Sequence, residues 1–110
     1  MRNDYLDCIQ LCYRCAAACE YCASSCLREE NVNAMSKCIQ LDMECATVCR
    51  TAAQLMSLNS DHANAACQLC ADICNACAEE CGKHIKMEHC RQCAEICRQC
   101  AEECMRMAAA

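Results

Sequence analysis

The sequence predicts an all-α protein: an antiparallel up-down-up-down four-helix bundle with a cysteine-lined core. Three observations carry that prediction. The fifteen residues from Cys90 to Cys104, CRQCAEICRQCAEEC, set Cys90, Cys93, Cys97, Cys100 and Cys104 at steps of three and four. Every thiol then lies on one face of an α-helix, in the a and d places of a heptad. The pattern C-x2-C-A-x2-C-x2-C-A-x2-C recurs as CQLCADICNACAEEC at 67–81 and as CYRCAAACEYCASSC at 12–26, so one helical unit repeats. A decayed copy at 42–56 keeps Cys45, Ala46 and Cys49 but has Asp42, Ala52 and Met56 in cysteine slots. Finally, the chain has no proline, one glycine and no Phe or Trp, which argues against an all-β or loop-rich fold.

Residues 1–110 are expected to form one domain, long enough for a compact bundle but not for two cores. The first helix is expected over about 4–29, from Asp4 to Glu29, with Cys8 joining Cys12, Cys15, Cys19, Cys22 and Cys26 on its stripe. A break at Arg28 to Asn33 leaves Asn31 or Asn33 to cap a second helix over about 34–57, which turns Met35, Cys38, Cys45, Cys49 and Met56 inward. After a break at Ser57 to Asp61, Asn59 or Ser60 is expected to cap a third helix over about 61–81, carrying Cys67, Cys70, Cys74, Cys77 and Cys81. Gly82 stands where a left-handed C-terminal cap would sit, and KHIK makes the last connection. The fourth helix is expected over about 87–107, with a frayed alanine tail.

Connections this short make consecutive helices antiparallel. Ala16, Ala23, Ala71, Ala78, Ala94 and Ala101 flank the sulfur stripes, where small side chains let helices approach, though alanine also simply favours helix. Asp42 occupies an a position, where it either faces the bundle and accepts a proton or hydrogen bond, or the second helix rotates to present Leu41 instead; a modest rotation is expected. Ile9, Leu11, Ile39, Leu41, Val48, Leu55, Leu69, Ile73 and Ile96 sit on the shoulders of the stripes. Most should seal seams, and an exposed excess would suit a homo-oligomer.

The net charge of −5 supplies no basic stripe, so neither nucleic acid nor an anionic membrane is expected as partner. The beginning, MRNDYLDCIQLC, lacks the basic head and apolar run of an export signal, and no apolar stretch reaches the ~20 residues of a membrane span. A reducing, cytoplasmic location is expected, where thiols stay free. A disulfide scaffold fits poorly: helical neighbours three or four apart have Cβ atoms roughly 5–6 Å apart, whereas a disulfide needs about 3.5–4.5 Å. Bonds between helices stay open to the sequence, but nineteen is an odd number and leaves at least one thiol over.

Protonated cysteine behaves as a small hydrophobe, so such a bundle can fold before metal arrives. Ionising many buried thiols requires positive charge to enter as protons leave. Thiolates favour Cu(I), Zn(II) and iron–sulfur clusters. One Cu(I) per thiolate leaves the core neutral, while Zn(II) on four thiolates leaves about two negative charges per centre. Iron–sulfur spacing of the ferredoxin kind is missing. Cysteines four apart can clamp a two-coordinate ion: Cys8 and Cys12, Cys15 and Cys19, Cys22 and Cys26, Cys45 and Cys49, Cys70 and Cys74, Cys77 and Cys81, Cys93 and Cys97, Cys100 and Cys104. Multiple Cu(I) ions per chain are therefore expected. Soft ligands collect at both bundle ends, Met35, His84, Met87 and His89 at one and Tyr5, His62, Met56 and Met107 at the other, and either end could admit copper. Taken singly, each Met or His is better read as core filling or a solvated loop than as a ligand.

The C-x2-C-A-x2-C units and the closing MEHCRQCAEICRQCAEEC make the chain resemble the bacterial copper storage proteins, in the branch without an export signal. That resemblance implies a four-helix bundle, often a tetramer, storing Cu(I) in the cytosol, with ligand roles on all nineteen cysteines. The main alternative is a metallothionein-like Zn(II) or general soft-metal buffer. A thiol oxidoreductase would need one activated, accessible pair beside a strand, and a copper chaperone one exposed site. No Ser, His and Asp grouping and no phosphate-cradling glycine loop points to an enzyme.

Overall fold

The computed structural model describes residues 5–110. Among them are four α-helices, α1 (Tyr5–Cys26), α2 (Ser36–Ser57), α3 (Ala63–Gly82) and α4 (Glu88–Ala109), with a 3-10 turn over Val32–Met35. The molecule measures 45 × 17 × 17 Å, the proportions expected when helices of about 22 residues, each roughly 33 Å long, stand side by side. Helix α1 packs on α2 and α4, and α3 packs on the same two, so the four surround one central column.

That column is sulfur and alanine. All nineteen cysteines are buried, and the flanking Ala16, Ala23, Ala71, Ala78, Ala94 and Ala101 are buried beside them. The alternating three- and four-residue step keeps the thiols on one face of each helix, and the facing alanines let the backbones draw together. Ile9 and Val48 are buried, while Leu11, Ile39, Leu41, Leu55, Ile73 and Ile96 pack at the margins and seal the seams. Leu69 instead stands exposed, as do Met43, Tyr21 and Leu27.

The helix ends depart from expectation in instructive ways. The expected start at Asp4 lies outside the described residues. Helix α1 stops at Cys26, not Glu29: the amides of Arg28 and Glu29 reach back three residues to the carbonyls of Ser25 and Cys26 at 3.1 and 3.2 Å, tightening the last turn. Asn31 does cap, but it caps the 3-10 turn, its Oδ1 accepting from the Ala34 amide at 3.3 Å.

Asn59 closes α2 and does not open α3. It takes the left-handed conformation at φ 52, its amide donates to the Met56 carbonyl, and the Ser60 amide donates to the Leu55 carbonyl, both at 3.0 Å. This is the Schellman arrangement, and asparagine supplies it because its short polar side chain tolerates positive φ. Ser60 accepts from the His62 amide at 3.0 Å, and His62 itself precedes the first turn of α3.

Gly82 ends α3 without positive φ, with Lys83 as the cap residue, so the expected left-handed glycine cap is not what ends the helix. A Cβ there would lie 3.4 Å from Arg98 Nη2, an ordinary contact, so neither backbone conformation nor space demands glycine at this position. The alanine tail extends α4 to Ala109, and the Ala110 carbonyl accepts from Asn64 Nδ2 at 3.3 Å, which ties the tail to α3.

Candidate metal centre

Because the helices run antiparallel with their stripes inward, thiols from different helices meet along the whole axis. Sγ–Sγ separations across helices are 3.3 Å for Cys38 and Cys81, 3.4 Å for Cys45 and Cys74, and 3.6 Å for both Cys12 with Cys104 and Cys19 with Cys97. Within one helix, Cys22 and Cys26, Cys45 and Cys49, Cys70 and Cys74, Cys77 and Cys81, and Cys93 and Cys97 lie 3.8–4.0 Å apart. An ion bonded to two sulfurs at roughly 2.3 Å each fits between such pairs with little movement. All nineteen thiols are free.

Four-thiol groups with all sulfurs within 4.8 Å of one another repeat along the column: Cys12, Cys70, Cys100 and Cys104; Cys15, Cys49, Cys74 and Cys100; Cys15, Cys19, Cys45 and Cys97; and Cys19, Cys77, Cys93 and Cys97. Consecutive groups share members, first Cys100, then Cys15, then Cys19 and Cys97. An ion held in one group therefore has sulfur in common with the next, the arrangement that multinuclear thiolate clusters require.

Asp42 interrupts the sulfur. It is fully buried, and the expected rotation toward Leu41 does not occur, because three thiols meet it. Cys77, Cys93 and Cys81 donate to Oδ1 at 3.2, 3.3 and 3.5 Å, and Cys38 approaches Oδ2 at 3.9 Å. These S–H groups satisfy the oxygens that a solvent-facing rotation would have hydrated. Burial first, then the neighbouring Cys93, Cys77 and Cys38, pushes the Asp42 carboxyl up to about 10. At neutral pH the carboxyl therefore keeps its proton.

The two bundle ends differ. At one, Tyr5, Met56 and Met107 are buried over Cys8, Cys67 and Cys104, while His62 is exposed. At the other, Met35 is buried and Met87 half-buried, and His84 turns its Nε2 to Glu80 Oε2 at 3.2 Å. His89 instead reaches the sulfur column. Its Nδ1 lies 3.5 Å from Cys22 Sγ, 3.5 Å from Cys90 Sγ and 3.9 Å from Cys26 Sγ, completing a mixed four-ligand group with those three cysteines. Burial first, then the Cys38 charge, pushes the Cys90 thiol up to about 12 and raises Cys26 as well, so these thiols hold their protons until a cation replaces them. Treating each His singly understates His89. The signal that marks it is its place beside Cys90 in the first turn of α4, which aims the ring across the bundle end toward α1.

The sequence pattern of the copper storage protein family, Csp, matches residues 1–109. The chain is 47% identical over 77 residues to the uncharacterized cysteine-rich protein YhjQ of Bacillus subtilis (strain 168), covering 70% of this chain and 71% of that one. It superposes on the Cu(I)-bound copper storage protein BsCsp3 with a TM-score of 0.91 and 44% identity, covering 96% of this chain and 99% of the other. With a cytosolic copper storage protein from Streptomyces lividans carrying five coppers, the TM-score is 0.95 at 43% identity, covering 99% and 95%. Given this match over nearly the whole length, the chain belongs to the copper storage protein family.

Proposed function

We propose that this protein stores Cu(I) in the cytosol, holding many ions per chain on the thiolates of its nineteen cysteines, and that it works by binding and release with no catalytic step. The observation that carries the reading is the column of buried, unpaired thiols in which successive four-sulfur groups share members. Charge selects the cargo: each Cu(I) replaces one proton and leaves the dry interior neutral, whereas Zn(II) on four thiolates would strand negative charge there. Likeness to a relative loaded with five coppers and described as cytosolic supports both cargo and location.

His89 joins Cys22, Cys26 and Cys90 as the first landing site, at the end where a half-buried imidazole borders the column; the opposite end is closed by buried Met56, Met107 and Tyr5. The exposed Met43 and Leu69, flanking Val48 and Ile73 on the α2–α3 face, support a homo-oligomer, with a tetramer the state to test by light scattering. The decisive test of cargo is competition. Reduced protein given equal Cu(I) and Zn(II) without oxygen should retain copper alone by metal analysis; zinc persisting against excess Cu(I) would identify a general soft-metal buffer instead.

A further inference from the structure

We infer that Glu29 is the positioning residue of the bundle mouth, fixing His89 in the tautomer that offers an unprotonated Nδ1 to the thiols of Cys22, Cys26 and Cys90. The inference rests on the Cu(I)-storage reading and deepens it. Glu29 Oε2 lies 2.9 Å from His89 Nε2. An ionised carboxylate only accepts hydrogen bonds, so Nε2 must carry the hydrogen, and a neutral imidazole with its hydrogen on Nε2 has its lone pair on Nδ1. That nitrogen is the one facing the sulfurs, at 3.5, 3.5 and 3.9 Å.

Glu29 is placed to do this by the same turn that ends α1. Its amide donates to the carbonyl of Cys26 at 3.2 Å, so the carboxylate is held one turn from a ligand of the site it serves. The imidazole side chain is 13% exposed against 34% for Glu29, so the ring is shielded while the carboxylate sits at the rim. The pair also links the exit of α1 to the start of α4, the two helix ends that bear the three cysteines. A histidine that ligates metal with one nitrogen and gives the other to a carboxylate is a recurrent device for holding ring orientation and raising basicity. On loading, Cu(I) displaces a thiol proton, which leaves to solvent, and Nδ1 adds as a neutral donor, so the imidazole keeps its Nε2 hydrogen and the charge of the site is unchanged.

The test uses the reduced full chain with Glu29→Ala, Glu29→Gln and His89→Ala. Nitrogen-15 NMR of the copper-free protein should show His89 of the wild type as a single Nε2–H tautomer and that of Glu29→Ala as a mixture. Stopped-flow transfer of the first Cu(I) equivalents from a chelator should slow about 10-fold or more in Glu29→Ala, with final capacity unchanged. Glu29→Gln, whose amide oxygen still accepts from Nε2–H, should recover much of the rate, and it carries the test if the alanine variant does not fold. In the His89→Ala background Glu29→Ala should add nothing. An Nδ1–H or doubly protonated ring in the wild type, wild-type loading by Glu29→Ala, or equal slowing without His89 would each overturn the inference. If the wild type itself takes up only one or two ions, the storage reading falls with it, and that is seen before any variant is compared.

Discussion

Asp42 Oδ1 accepts a hydrogen bond from Cys77 Sγ at 3.2 Å inside a core made mostly of cysteine and alanine. A carboxyl placed there has no cation beside it, and the helix keeps it inward because four thiols surround it. Its protonation contributes a distinct slope to the pH response of the copper-free protein.

The carboxyl titrates at about 10 in the folded chain against 3.8 ordinarily. Between those values the folded state keeps a proton that the unfolded state has released, so stability falls as pH rises, by about 1.4 kcal/mol per unit for this group. The stability it lends is whole below pH 4 and declines from there up to about pH 10. Asp42→Asn should remove that slope, and by pH 7 should stabilise the reduced apoprotein by up to about 4 kcal/mol relative to pH 4 behaviour. Denaturant melts of both proteins at pH 5, 6, 7 and 8 check this; parallel slopes would contradict it.

Cys97 belongs to two of the overlapping four-sulfur groups. Cys97→Ala should therefore lower the copper count by more than a single ion, while the loss of one small buried group costs only about 1 kcal/mol of apoprotein stability. Mass spectrometry of the copper-loaded variant, paired with its melting curve, reads both. A variant of unchanged capacity would mean that the groups act independently.

Every thiol is sealed from solvent. Labelling of the reduced protein by a water-soluble disulfide reagent should run at least about 100-fold slower than in denaturant, since it must await opening of the bundle. Copper binding should slow it further, because a ligand that binds only the folded state raises its stability. Rapid labelling of many thiols in the native protein would show that they do not line a closed core.

Interior and surface substitutions should separate cleanly. Ala94 is buried between helices, and Ala94→Leu forces them apart at a cost of about 1–3 kcal/mol, with reduced copper uptake because the cross-helix sulfurs separate. Arg50 pairs with Glu20 through two bonds of 2.7 and 2.8 Å, but both side chains are about half exposed. Arg50→Ala should cost no more than about 1 kcal/mol and leave uptake intact.

The number of helices, the inward face of each and the small residues beside the thiols were legible in the sequence because cysteine marks the buried stripe directly, at steps of three and four. The ends were less legible. Asn59 suits both a helix start and a left-handed helix end, and only the carbonyls of Leu55 and Met56 determine which it serves. For Asp42 the sequence leaves both an inward, hydrogen-bonded carboxyl and a rotated helix open, and only the thiols that α3 and α4 bring to it decide for the first. His89 and Glu29 are sixty residues apart in the chain, and neither carries a local pattern that reveals the other. Their pairing follows only from the antiparallel arrangement that brings the exit of α1 beside the start of α4.

The most direct test is anaerobic titration of the fully reduced chain with Cu(I) against a competing chelator, followed by native mass spectrometry. A capacity approaching the nineteen cysteines, reached through a series of multinuclear species, is the predicted result. Saturation after one or two ions, or uptake that vanishes because the cysteines have paired as disulfides, would contradict it.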